Sequence, residues 1–167
     1  MTKRALMGLI LPAIIGASAA FAQQPTLDKL KWGSVTNVGA SYGSSTGKMQ
    51  LVEAANKTIS GTVVIPGTYN GNPVEVKNFN GCANITSIVI LDGAISISGN
   101  SLSGCTGLTS VTIPASVNVF NGFAQGDLGD LDAKWKTGRS GTYTRARGGK
   151  TWTKQGAAVC PTCGKPL

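Results

Sequence analysis

The chain has no histidine and only seven acidic residues among 167. Without an imidazole, the Ser-His-Asp and Cys-His arrangements of nucleophilic catalysis are excluded. The acids are scattered as well. Asp127, Asp130 and Asp132 cluster, but among glycines rather than at the ligand spacing of a calcium loop. No glycine-rich phosphate loop leads into a helix pattern. Aromatics make up 6% of the chain and charged residues 13%. Apart from one apolar run near the start, no stretch approaches the roughly 20 apolar residues of a bilayer span. These absences remove the common enzyme classes. The expectation is a non-catalytic protein.

What is present begins with a leader. Met1-Thr2-Lys3-Arg4 is basic, Ala5 to Gly16 is apolar, and Ala20-Phe21-Ala22 has the small-x-small form of a cleavage site. This pattern predicts a secretory signal peptide over 1–22 and export to the periplasm, the cell surface or the exterior, with no membrane span after cleavage. The formal charge of +8 then divides unevenly. Gln23 to Asp132 holds five basic and seven acidic residues, and Ala133 to Leu167 holds eight basic and none acidic. A near-neutral body carries a basic tail.

The body repeats itself. GCANITSIVI at 81–90 returns as GCTGLTSVTI at 104–113, an offset of 23. Phe79 falls on Leu102, Cys82 on Cys105, Ile85 on Leu108, Ile88 on Val111 and Ile90 on Ile113. Further on, Ala94 falls on Val117 and Ile97 on Phe120. A partial upstream copy at 61–66 has a coil two residues longer. One apolar frame per 20–29 residues is the signature of leucine-rich coils. Period-two alternation sends Ile88, Ile90, Val111 and Ile113 inward and their neighbours outward. The predicted fold is mainly β: a short leucine-rich repeat solenoid with parallel strands, plus a small β-hairpin appendage at the C-terminus. Its divisions are a capping segment at 23–58 with a strand at Lys48–Glu53, coils at 59–123, a linker at 124–140, and a hairpin and Cys-x-x-Cys tail at 141–167. Phe120 and Phe123 are expected to begin the C-terminal cover.

Gly-Cys-x-x-Leu-Thr-Ser-Val-Thr-Ile-Pro at 104–114 resembles the repeat of BspA-like bacterial leucine-rich repeat proteins of the 23-residue type. Gly61-Thr-Val-Val-Ile-Pro66 with Gly71-Asn-Pro73-Val74 is similar to a first coil of that family. The resemblance covers about residues 59–123. It departs at Leu91-Asp92, where the family has Pro, and in the shortness of the array. It implies an exported, surface-associated protein that binds macromolecules, often in adhesion.

The cysteines divide into two pairs. Cys82 and Cys105 hold equivalent places in adjacent coils and read as small apolar rungs of the interior, ahead of an inter-coil disulfide. Cys160-Pro-Thr-Cys163-Gly164 looks like one zinc knuckle, but tetrahedral zinc wants four ligands. A local disulfide or an inert tail ranks above half a metal site shared between chains. No cofactor is expected, zinc being the one alternative.

Gly141 to Lys154 reads as a hairpin turning at Gly148-Gly149, with paired residue numbers summing to 297. Arg145 then faces Trp152 and Tyr143 faces Lys154, giving two exposed cation–π pairs. Arg145, Arg147, Lys150, Trp152 and Lys154 are the candidate contact for an anionic surface. The strand-face candidates are Thr62, Val64, Ser87, Val89, Ser110 and Thr112. They point to a flat, uncharged surface for a protein or glycan at a host or envelope surface, with no nucleic acid as partner. Two alternatives stand beside this binding module: an assembly unit linked by zinc at Cys160 and Cys163, and a truncated repeat relic.

Overall fold

The computed structural model describes residues 26–36, 48–119 and 128–156. The expected signal peptide, Phe120, Phe123, Asp127, Cys160 and Cys163 lie outside these residues. The protein is mainly β, with two mixed sheets. The first contains β1 (Leu30–Thr36), β2 (Lys48–Ala54), β5 (Asn72–Val76), β7 (Ser96–Ile97) and β9 (Asn118–Val119) in that order, with the short β4 (Thr68–Tyr69) against β5. The second runs β11 (Thr153–Lys154), β10 (Gly141–Thr144), β8 (Ser110–Ile113), β6 (Ile85–Ile90), β3 (Gly61–Ile65). The chain shuttles between them, so the core lies between the two sheets.

Registers follow the sequence frame closely in the second sheet. Val63 pairs with Ile88 in parallel, and Ile88 with Val111. All three are fully buried, and each contributes about 1.5–3 kcal/mol by leaving water. In the first sheet, Val52, Val76 and Ile97 align in parallel. Ile97 pairs with Val119, one residue before the Phe120 that the repeat alignment indicates. The cause is length: five residues separate Ile113 from Val119, whereas six separate Ile90 from Ile97.

The pairing is not parallel throughout. β1 lies antiparallel on β2, β4 on β5, β10 on β8 and β11 on β10. The expected capping strand exists as β2, but β1 covers it in turn. Trp32 of β1 stacks on Tyr69 with ring centroids 3.8 Å apart and planes 6° from parallel, which ties the outer strand to the hairpin of β4 and β5.

The glycine of each Gly-Cys pair has a backbone reason. Gly81 and Gly104 both have φ of 74°, the left-handed region that glycine enters at no steric cost. A Cβ on Gly104 would stand 3.1 Å from the Cα and N of Gly81. At Gly107 the approach is closer still: a Cβ would fall 2.2 Å from the carbonyl oxygen of Ala83, to which Gly107 N–H donates at 3.0 Å.

The C-terminal part is more than a link and an appendage. Helix α1 spans Leu131–Gly138, with Leu131 and Trp135, four residues apart, on its buried side. Leu128, Leu131, Trp135, Tyr143 and Trp152 belong to the same core cluster as Leu108, Val111 and Ile113. An open apolar end on the last strands is thus covered by aromatic side chains from α1 and the hairpin.

Candidate binding faces

The outward side of the second sheet forms one surface. Register places Thr62 beside Ser87, Ser87 beside Ser110, Ser110 beside Thr144, and Thr144 beside Thr153. Five hydroxyl side chains therefore line up across five strands, over about 19 Å at the usual strand spacing. Thr62 and Thr153 are exposed; Ser87, Ser110 and Thr144 are half-buried. A second row runs Val64, Val89, Thr112, Thr142, and the Oγ1 atoms of Thr112 and Thr142 are hydrogen-bonded at 2.9 Å.

Two of the strand-face candidates need correction. Val64 is 4% and Val89 8% exposed, so neither presents a free side chain. Thr26 lies along the outer edge of β3: its N–H donates to Val64 O at 3.1 Å, and its Oγ1 accepts from Val64 N–H at 3.0 Å. Val89 stands between Val64 and Thr112 on the flanking strands. Lys29 completes the edge, its Nζ donating to Ser60 O at 2.8 Å and Thr62 O at 3.0 Å. Thr142, Thr144 and Thr153 were missing from the sequence candidates. Alternation puts them on one side of the hairpin, and the packing of Tyr143 and Trp152 into the core makes that side the outer one.

The candidate anionic contact is divided by the same alternation. The expected register holds, Tyr143 pairing with Lys154 and Thr144 with Thr153. Arg145 does lie over Trp152, its Cζ 4.9 Å from the ring centroid. But Arg145 is 8% exposed and Trp152 fully buried, so the pair does not face a partner. Arg145 Nε donates to Leu108 O at 2.7 Å, Nη1 to Gly149 O at 2.7 Å and Nη2 to Thr106 O at 3.2 Å. It joins the hairpin to the segment before β8. The second expected cation–π pair is replaced. Tyr143 is buried, which raises its hydroxyl pKa, and its hydroxyl donates to Arg139 O. Lys154 Nζ instead donates to Gly138 O at 2.6 Å. The turn also sits one residue early: Gly149 N–H donates to Ala146 O, placing Arg147 and Gly148 at its centre. The hairpin loop is thus longer than two residues. Arg147, Lys150 and Lys154 are exposed.

Cys82 and Cys105 are buried free thiols. Burial raises the pKa of Cys82 and, with the nearby Cys82 sulfur adding to it, pushes Cys105 up to about 12. Neither supplies a thiolate near neutral pH, so neither is suited to nucleophilic chemistry. Among the described residues no group of three His, Cys, Asp or Glu is placed to hold a metal, and no helix is long and apolar enough to cross a membrane.

A shallow groove of about 270 Å³ lies at the corners following β5 and β7, lined by Glu53, Lys77, Asn78, Asn80, Ser98 and Asn100 among others. Two of its polar residues are engaged by residues outside the lining. Lys57 Nζ donates to the backbone and side-chain oxygens of Asn80 at 2.6 and 2.8 Å, and Ser98 Oγ donates to Glu75 Oε1. No motif marked this groove in the sequence.

No family model, curated protein or solved structure matches the chain.

Proposed function

We propose that residues 59–123 wind as the coils of a short leucine-rich repeat solenoid of the BspA-like type, and that the exported protein is a non-catalytic binding module. Its ligand surface is the outward side of the second sheet, and the ligand is an uncharged glycan at a cell or envelope surface. The observation that carries this reading is the hydroxyl row Thr62, Ser87, Ser110, Thr144, Thr153, in register across five strands. Serine and threonine hydroxyls both donate and accept, and sugar hydroxyls do the same. Short side chains lose little rotamer freedom on contact. The face has none of the Trp, Tyr or Arg anchors that dominate protein–protein hot spots, which favours a sugar over a protein. The basic residues of the hairpin lie on its other side or at its turn, so the row itself is uncharged.

The test is a binding screen against immobilised neutral polysaccharides and matrix proteins, followed by the double variant Ser87→Arg/Ser110→Arg. Retention on a neutral polysaccharide that the variant loses, with an unchanged melting temperature, supports the reading. Unchanged retention removes the sheet face.

A further inference from the structure

The described residues 128–156 hold seven basic residues and two acidic ones, whereas 48–119 hold three of each. Arg145 is buried; of the six exposed cations, Arg139 and Lys154 are set apart by where the fold holds them. Arg139 closes α1 at φ 55°, ψ −144°, a backbone conformation that costs a non-glycine residue about 1–3 kcal/mol. Its N–H donates to Trp135 O at 2.7 Å and its carbonyl accepts from the Tyr143 hydroxyl. Its side chain is exposed and its Cζ lies 5.1 Å from the centroid of the Trp135 ring. Stacking holds the guanidinium plane and leaves its N–H edge for a planar anion. Lys154 reaches the same place from β11: its Nζ is 2.6 Å from the carbonyl oxygen of Gly138, the residue next to Arg139. That bond takes one of three ammonium hydrogens. Lys136, also exposed, sits two residues before Gly138 on α1.

We infer that Arg139 and Lys154, positioned at the C-terminal end of α1, form a clamp for the carboxylate or sulfate groups of an acidic polysaccharide. This site lies apart from the hydroxyl row and does not rest on the reading of that row. Immobilising a long cation before the ligand arrives removes an ordering cost of about 0.5–1.5 kcal/mol per side chain, and here the fold holds two. Single-stranded nucleic acid is the poorer fit. Its binders supply exposed aromatic platforms, and Trp135, Tyr143 and Trp152 are buried. A membrane surface is also poorly matched, because the one large exposed hydrophobic among the described residues is Leu27, outside this region.

The experiment measures binding of the full chain to heparin, polygalacturonate and an oligothymidylate at several salt concentrations. Heparin carries sulfates and polygalacturonate carboxylates, so the two arms separate the sources of the anion. Arg139→Gly is the informative variant: it relieves the positive-φ strain, so the fold survives while the clamp loses its guanidinium. Lys154→Gln removes the second charge, and Lys77→Gln, on the body, is the control. Each clamp variant is expected to weaken polysaccharide binding by about five-fold and to lower the salt slope by about one, with the control unchanged. Equal losses in all three variants would reduce the effect to net charge and overturn the clamp. So would binding unaffected by Arg139→Gly, which would leave Arg139 as a helix cap alone. Tighter binding to the oligothymidylate than to either polysaccharide would overturn the ligand class.

Discussion

The thiol of Cys105 donates to the carbonyl oxygen of Phe79 at 3.2 Å, reaching back 26 residues. Cys82 addresses Asn56 O across the same interval at 3.8 Å. For Cys105 that carbonyl lies three residues before Cys82, its match in the 23-residue alignment. Ile59, 23 residues before Cys82, is buried in the same cluster. The rung is a packing device with a weak hydrogen bond, which explains why a small, slightly polar side chain stands where the flanking positions are aliphatic.

Burial of that thiol makes stability depend on alkaline pH. Below about pH 9, the ordinary thiol value of 9.0, folded and unfolded chains both keep the Cys105 proton. From there to about 12 only the folded state keeps it, the unfolded state is favoured by ionisation, and stability falls as pH rises. Denaturant melts between pH 8 and 11 are expected to show this decline, and Cys105→Ala to flatten it while costing some packing at neutral pH. A decline of the same slope in the variant would assign it to other groups.

Close backbone approach should make Gly107 far less replaceable than an open glycine. Gly107→Ala drives a methyl into Ala83 O, where backbone must move, and is expected to cost more than about 2 kcal/mol, in the range of overpacked sites. Gly71→Ala meets nothing within 4 Å and pays only for its φ of 74°, about 1 kcal/mol. Urea midpoints of the two variants test the order, and equal shifts would contradict the inter-repeat contact.

The edge of β3 should become adhesive when its clasp is removed. Thr26 and Lys29 together satisfy the outward carbonyls of Ser60, Thr62 and Val64 and the N–H of Val64. An open strand edge is a template for pairing with another chain. Thr26→Pro/Lys29→Ala is expected to raise the apparent mass with concentration in light scattering, where the unaltered protein stays constant. A double variant that remains monomeric at high concentration would show that β3 is protected by other means.

Local periodicity made much of this molecule readable before any coordinates. The matched Ile88 and Val111, the outward Ser87 and Ser110 and the hairpin register all follow from spacing, because strand alternation and pairing are short-range rules. Chain length in a corner was harder to weigh, and the missing residue between Ile113 and Val119 moved one pairing by a place. The burial of Val64 and Val89 was not legible, because strand alternation does not encode what packs over a strand.

The sequence alone determined which residues alternate and repeat, since these depend on neighbours along the chain. Only the tertiary structure decided which side of the hairpin is inside. Arg145 and Trp152 turn inward because β8 and the segment before it offer an uncovered apolar end and the carbonyls of Thr106 and Leu108, and no local pattern encodes a surface that distant residues create. The same packing brings Lys154 to the end of α1 beside Arg139, and it joins Thr144 and Thr153 to a row begun more than eighty residues earlier.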